Sequence, residues 1–338
     1  MKAAVYRTGD PGQETLEEQA NAKQLADVAA FTAPLRAVLQ RWPAPEAAGH
    51  RLVIGSRAWD TPRRLDAAAL ADLRAAAVNA PDHLPQAIAA IEAVSAIWPK
   101  AVQIGCSDSA FHRTLPPVAR VLPLPASARA LGLERFGYHG LSCEYVLGAL
   151  RASDPAAAAG RVIIAHLGNG ASLTAIRRGQ SVETTMGFSP LGGLVMSTRA
   201  GDLDPGALVA LLHAGKEDPD TLNQTLNHEA GLLGVSETTG DMERLLQLRL
   251  SDARAALAVD LFVYQARKHL GALAAVLGGV ETLVFTGGIG ENSGYIRERI
   301  SYGMEWAGVT PAALRVIPTD EDRMIARHTA AAMARSTP

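Results

Sequence analysis

Apolar residues along this chain fall into two kinds of stretch: short runs that end in glycine, and longer ones with helical spacing. Arg51–Gly55, Ala101–Gly105, Val162–Gly170 and Thr282–Gly290 are the short runs. Their β-type apolar content predicts strands. The Ala-rich stretches Asp66–Ala80 and Pro155–Gly160 read as helix or helix-flanking segments. Val259, Phe262, Ala266, Leu270, Leu273 and Leu277 keep one helical face, so a helix is expected over Ala255–Leu277 with a stop at Gly278-Gly279. Arg41–Ala48, rich in Pro and Ala, reads as a surface loop. Strands alternating with helices predict an α/β architecture.

Two of the runs share one design. Val162–Leu167 leads into Gly168-Asn169-Gly170, and Leu283–Thr286 leads into Gly287-Gly288-Ile289-Gly290. The first is expected to continue as a hairpin, Ser172–Arg177 and Ser181–Thr185, about a turn containing Gly179. The second is expected to open a helix near Glu291–Ile300. Glycine lets a backbone approach a ligand, and a helix start offers N–H groups to an anion. Each run taken alone is as well explained by a tight strand turn.

Composition narrows the picture. A chain of 338 residues exceeds what one core usually holds, so two domains are expected. With 48% apolar and 20% charged residues it has the balance of a globular protein. The formal net charge of −2 and a pI near 6.5 give no basic face for nucleic acid or an anionic membrane. Cys106 and Cys143 stand far apart, which indicates neither a zinc site nor a disulfide framework and suits a reducing cytoplasm. Met1–Thr15 has no signal-peptide pattern, and no apolar run reaches the ~20 residues that span a bilayer.

The P-loop, GxGxxG, GxSxG and HExxH patterns are absent. Polar residues instead interrupt apolar or glycine-rich segments: His50-Arg51, Asp108, His139, His166 with Asn169, and Arg199. Any one of these is ordinarily a satisfied core or surface group. Together they place Arg, His and Asp at strand ends and glycine turns, where α/β folds gather their ligand sites.

The same segments carry a resemblance. Gly-His-Arg-Leu-Val at 49–53, Asp-Ser-Ala-Phe-His at 108–112 and Arg-Phe-Gly-Tyr-His-Gly at 135–140 resemble the acetate kinase family. So do His-Leu-Gly-Asn-Gly-Ala-Ser at 166–172, Met-Gly-Phe-Ser-Pro-Leu-Gly-Gly-Leu at 186–194, Thr-Arg-Ala-Gly-Asp-Leu-Asp-Pro at 198–205 and Phe-Thr-Gly-Gly-Ile-Gly-Glu-Asn-Ser at 285–293. The order holds from about residue 47 to residue 330.

That resemblance implies a duplicated actin-like (ribonuclease H-like) ATPase fold, with domains at 1–150 and 151–338 around a cleft, usually as a homodimer. It implies transfer of the γ-phosphoryl group of ATP to acetate or another short carboxylate, with Mg2+ or Mn2+ and no covalent enzyme intermediate. Arg51 and Arg199 match the family's substrate clamp, His139 the histidine on the phosphoryl group and Asp108 the reaction-centre aspartate. Guanidinium groups suit the task, because two anions must be brought together. Val53, Asp82, Tyr138 and Pro190 match the acid pocket, and His83 and His166 match further active-site histidines on the substrate and nucleotide sides. Gly168, Asn169 and Gly170 match the phosphate turn. Gly287, Gly288, Gly290 and Asn292, with Asp241, match the adenosine side, and Glu321 matches the metal carboxylate.

The sequence also departs from the family. The family's opening strand and its Asn-x-Gly-Ser-Ser-Ser loop have no counterpart, since Met1–Arg7 resembles the second strand. Met1 is therefore expected to be a misassigned start. Ile54-Gly55-Ser56 replaces His-Gly-Gly, Met242-Glu243 replaces Phe-Arg, and Asp82 and Tyr138 make the acid pocket more polar. The alternative is an impaired relative that binds a nucleotide or a partner; a sugar kinase of the actin fold fits the clamp motifs poorly.

Overall fold

The computed structural model describes residues 2–8, 14–21, 28–215 and 218–335. Met1, with the expectation attached to it, lies outside the described residues. The chain forms two compact units. Unit 1 is Met1–Arg113, Gly140–Tyr145 and Asp320–Pro338; unit 2 is Thr114–His139 and Val146–Thr319. The last helix is grouped with the first third of the chain.

Unit 1 contains the antiparallel pair β1 (Lys2–Arg7) and β2 (Thr15–Asn21). It also holds a separate sheet of β3 (Ala47–Leu52), β4 (Arg63–Arg64) and β5 (Val102–Ser107), in the order β3-β5-β4. β3 starts earlier than its apolar run, at Ala47, and ends at Leu52. Parallel pairing with β5 draws Ala47 and Ala48 into the strand, so the expected 41–48 loop is shorter; its Trp42 is buried. Helices α1 (Val28–Leu39), α2 (Ala67–Ala76) and α3 (Leu84–Ile97) belong to this unit. The Asp66 carboxylate caps α2 by accepting from the Ala69 N–H at 2.8 Å. The helix ends at Ala76 in a 3₁₀ turn over Ala77–Asn79, short of the expected Ala80. Leu52, Ile54, Trp59, Leu73, Leu84 and Ile91 form the core beneath these elements.

Unit 2 is built on a five-stranded sheet in the order β10-β9-β6-β7-β8. Its strands are β6 (Arg161–Leu167), β7 (Ala171–Arg177), β8 (Gln180–Thr184), β9 (Thr282–Thr286) and β10 (Leu314–Val316). β6 pairs antiparallel with β7 and parallel with β9. A strand flanked on both sides and covered on both faces is apolar throughout, as Val162–Ala165 is. The expected hairpin is present; Arg178 and Gly179, both at positive φ, make its two-residue turn.

α4 (Gly140–Ser153) starts in unit 1 and continues in unit 2. α5 (Met242–Leu248) precedes α6 (Ala253–Leu277), the helix read from its spacing, which packs on β7. Its Asp252 cap and its Gly278 stop in the left-handed region set its length. After β9 the helix begins at Gly287, earlier than expected, as α7 (Gly287–Asn292), and resumes as α8 (Gly294–Ser301). α9 (Glu321–Arg335) lies on β3 and β5 of unit 1. No described helix is long and apolar enough to cross a membrane.

Candidate active site

In unit 1, parallel pairing sets Arg51 opposite Cys106 and Leu52 opposite Ser107. The Asp108 N–H then donates to the Leu52 carbonyl at 2.8 Å, which continues the ladder one residue past β5. Asp108 is therefore held beside Arg51, and Arg51 Nη2 donates to its Oδ2 at 2.7 Å. Ser107 and Ser109 fix the turn, both donating to the Ile54 carbonyl, at 3.3 and 2.9 Å. α9 starts with Glu321, whose Oε2 lies 3.7 Å from Arg51 Nε. One guanidinium thus faces two carboxylates.

The electrostatics follow from that contact. Asp108 is 1% exposed, whereas the Arg51 side chain is 39% exposed. Burial opposes the Arg51 charge, but Asp108 and Glu321 more than offset it and hold the guanidinium above its ordinary value. Burial pushes the Glu321 carboxyl up, and the Asp108 and Asp322 carboxylates push the same way against Arg51 and Lys2. Val53 follows β3 directly, and His83 immediately precedes α3 with its backbone N–H on the Ala80 carbonyl.

In unit 2, His139 adopts the left-handed conformation (φ 59°, ψ 25°) at the entrance to α4. That turn brings its Nδ1 to 2.9 Å from Ser172 Oγ and stacks its ring on His166, centroids 4.1 Å apart. Ser172 stands opposite His166 in the β6–β7 register, so the hairpin delivers both to one place. The Gly168 N–H donates to the Gly170 carbonyl at 2.9 Å, and the Asn169 carbonyl accepts from Ser197 at 3.1 Å. The Gly168–Gly170 turn is thereby tied to the loop that carries Arg199. A β-carbon at Gly170 would come 3.0 Å from His139 Nε2 and 3.6 Å from Arg199 Nη1, so these three positions converge. Arg199 Nη1 also reaches the Pro190 carbonyl at 3.4 Å. The buried Tyr138 hydroxyl donates to the Phe188 carbonyl at 2.8 Å. Its O–H proton is thus directed to backbone.

The Gly287 turn differs from the simple picture of an open helix start. The Glu291 carboxylate accepts from the Gly287 and Thr319 N–H groups at 2.9 and 3.2 Å. The first amide of α7 is thus engaged within the protein. Asn292 Nδ2 donates to the Gly288 carbonyl at 2.9 Å, while the space beside Gly288 is open. Gly290 is buried in the packing of α7 against β6. Asp241 caps α5, accepting from the Arg244 N–H at 2.8 Å. Ser172 and Glu291 were not singled out as site residues from sequence. The β6–β7 register could have pointed to Ser172; nothing distinguished Glu291.

Known proteins are similar to this chain in fold and in sequence. An acetate kinase from Porphyromonas gingivalis superposes with a TM-score of 0.81 at 30% identity, over 98% of this chain and 90% of that one. A propionate kinase from Francisella tularensis gives 0.82 at 28% identity, over 97% and 89%. An acetate kinase of Rhodopseudomonas palustris is 44% identical over 303 residues, 83% of this chain and 76% of the relative. One from Methylocella silvestris is also 44% identical, over 84% of this chain and 74% of the relative. The fold is that of the actin-like ATPases, and the molecule is an ATP-dependent carboxylate kinase. It belongs to the acetokinase family, whose sequence pattern matches residues 3–334.

Proposed function

We propose that the protein transfers the γ-phosphoryl group of ATP to acetate or another short-chain carboxylate, forming ADP and an acyl phosphate by direct in-line displacement. The carrying observation is the 2.7 Å contact that orients the Arg51 guanidinium against the buried Asp108. A carboxylic acid is already ionised at neutral pH, so no general base is needed to make it a nucleophile. What the reaction needs is relief of repulsion between two anions. An acid oxygen attacks the γ-phosphorus, and the bond to the β–γ bridging oxygen breaks with its electron pair left on ADP.

In this reading Arg51 and Arg199 bind the acid and neutralise the transferring group, and Asp108 holds Arg51 in register. His139, steadied by Ser172 and by the stacked His166, donates to the phosphoryl oxygens from its Nε2 edge. Backbone of the Gly168–Gly170 turn holds phosphate, while Gly287, Gly288, Gly290, Asn292 and Asp241 serve the nucleoside side. The alkyl group of the acid meets Val53, His83, Pro190 and the ring of Tyr138, whose hydroxyl is turned to backbone. Mg2+ commonly takes one or two carboxylates with substrate phosphates and water. Glu321 fits that share, since a neighbouring cation stabilises the ionised form that burial, Asp108 and Asp322 disfavour. When bound, such an ion neutralises phosphate charge. The two cysteines, buried and in no disulfide, support a reducing cytoplasmic setting.

Acyl phosphate trapped with hydroxylamine tests the reading, using acetate, propionate and butyrate with and without Mg2+. Metal-dependent product with at least one acid is expected. ATP binding without product from any of them would favour a nucleotide-binding relative.

A further inference from the structure

Glu291 stands late in α7, and its side chain turns back to the start of that helix. Its Oε1 accepts from the Gly287 N–H at 2.9 Å, from the Thr319 N–H at 3.2 Å and from the Thr286 hydroxyl at 3.4 Å. Two of these donors are local. Thr319 is 28 residues further along the chain, so the contact is more than a helix cap.

The place of Thr319 shows what a carboxylate does there. β10 runs parallel to β9, and the Ile317 N–H adds one more bond, to the Phe285 carbonyl at 3.1 Å. Pro318 follows and has no N–H, so the ladder stops. The next amide is that of Thr319, the last residue of unit 2 before the chain returns to unit 1 at Asp320. Glu291 takes that amide and so fixes the point at which the chain leaves unit 2.

The Gly287 end of the contact bears on both glycine turns. Gly287 packs its bare α-carbon on the Leu167 carbonyl oxygen, which a β-carbon would approach to 2.7 Å. Leu167 immediately precedes the Gly168–Gly170 turn, and a β-carbon at Gly168 would stand 3.9 Å from the Gly288 nitrogen. The two turns therefore adjoin, and the Gly287 backbone sets their spacing. At the other end of α7, Arg297 Nη1 donates from α8 to the Gly290 and Glu291 carbonyls at 2.9 and 2.8 Å. The carbonyl end of α7 is thus held by a cation and its amide end by an anion. Hydrogen bonds to a charged acceptor are roughly twice as strong as neutral ones.

We propose that Glu291 is a positioning residue for nucleotide binding, holding the Gly287 turn against the Gly168–Gly170 turn and tying both to the chain crossover at Thr319. The proposal rests on the assignment of these two turns to nucleoside and phosphate. Glu291 acts through backbone amides and touches no substrate. Its three partners belong to the Gly287 turn and the crossover, not to the acid side, so the two substrates respond differently to its loss.

The test uses the full chain with Glu291→Ala and Glu291→Gln. Glutamine keeps a carbonyl acceptor at the same reach; alanine removes it. For Glu291→Ala the Kd for ADP, from calorimetric titration without acid, is expected to rise about tenfold, with the KM for the acid within about twofold of the parent. Glu291→Gln is expected to stay within about threefold of the parent Kd. An unchanged Kd in Glu291→Ala beside a lower melting temperature would reduce the residue to a helix cap and overturn the proposal. Equal rises in Kd and in the KM for the acid, or a glutamine variant as weak as the alanine variant, would do the same. Hydrogen exchange of the parent reads the geometry independently of either variant. The Gly287 and Thr319 amides are expected to exchange slowly without substrates, and ADP to slow both further. A Thr319 amide exchanging as fast as an exposed one would overturn the proposal. A parent that binds no ADP and yields no acyl phosphate would instead sink the nucleotide reading of the turns.

Discussion

Arg51 and His50 are neighbours on β3, and successive side chains of a strand point to opposite faces. Arg51 turns to Asp108; His50 turns to Gln103, with Nε2 at 2.7 Å from Oε1, and Gln103 in turn donates to Ser95 at 2.7 Å. The two therefore predict different phenotypes. Arg51→Lys keeps a charge but loses the planar fork, so turnover is expected to fall roughly 10²–10³-fold with little change in melting temperature. Steady-state acyl phosphate formation beside a thermal melt checks this, and retained turnover would contradict it. For His50, burial lowers the pKa to about 4, against the hydrogen bond to Gln103. The unfolded chain then binds the proton more tightly than the native one. Stability is undiminished above the ordinary histidine pKa, falls as pH drops from about 6.5 towards 4, and levels off below. The decline attributable to His50 is on the order of 3 kcal/mol. His50→Gln, which cannot ionise, is expected to flatten the pH dependence of urea unfolding relative to the parent; parallel slopes would refute the assignment. Arg51, Asp108, His139 and Arg199 were all legible in sequence because they are polar intrusions in apolar or glycine-rich segments. Ser172 was not, since it meets His139 only through the register of the hairpin.

Among the elements, α6 and the β7–β8 hairpin were read nearly to their ends, because local signals specify them: a helical apolar face with a glycine stop, and a two-residue turn. The start of β3 was misplaced because Ala47-Ala48-Gly49 has no strand preference of its own and is recruited by β5. The Gly287 turn was legible as a turn, but not the carboxylate that closes it, since Glu291 acts through a three-dimensional contact. That contact separates two glycines that look alike in sequence. Gly287 has φ +77°, and a β-carbon there would lie 2.7 Å from the Leu167 carbonyl oxygen; beside Gly288 nothing lies within 4 Å. Gly287→Ala should therefore cost stability, about 2 kcal/mol or more from the left-handed backbone and the clash. Gly288→Ala should leave the melting temperature nearly unchanged and raise the KM for ATP several-fold if nucleotide backbone contact is made there. Thermal melts and ATP titrations of the two variants decide the matter. A Gly288→Ala protein with normal ATP affinity would remove that glycine from the nucleotide site.

For the molecule as a whole, the informative feature is that both chain ends build unit 1. The β1–β2 pair reaches the start of α9 through side chains more than 300 residues away: Tyr6 donates to Asp320, just before the helix, at 3.3 Å, and Lys2 pairs with Asp322 in its first turn at 2.6 Å. Further along α9, Arg327 Nε pairs with Glu14 at 2.8 Å. An isolated two-stranded hairpin is marginal in water, so β1 and β2 draw on that helix as well as on the cluster of Leu35, Leu39, Trp42, Ala93 and Val94, against which Ala3, Val5 and Ala20 pack. Dependence of this kind is invisible to a reading that proceeds along the chain. The Glu14 side chain is 4% exposed, so removing the Arg327 charge leaves a buried carboxylate poorly compensated. Arg327→Met is expected to destabilise unit 1 by roughly 3 kcal/mol. Native-state hydrogen exchange locates the damage. Amides of β1, β2 and α9 should lose protection, while those of β6, β7 and β9 keep theirs, because their ladder is internal to unit 2. Since Glu321 opens the same helix, the variant should also need more Mg2+ for half-maximal turnover, with the KM for the acid less affected. Uniform loss of protection across both sheets would instead mean that the chain unfolds as one cooperative body, and that α9 is not a separable support for Glu321.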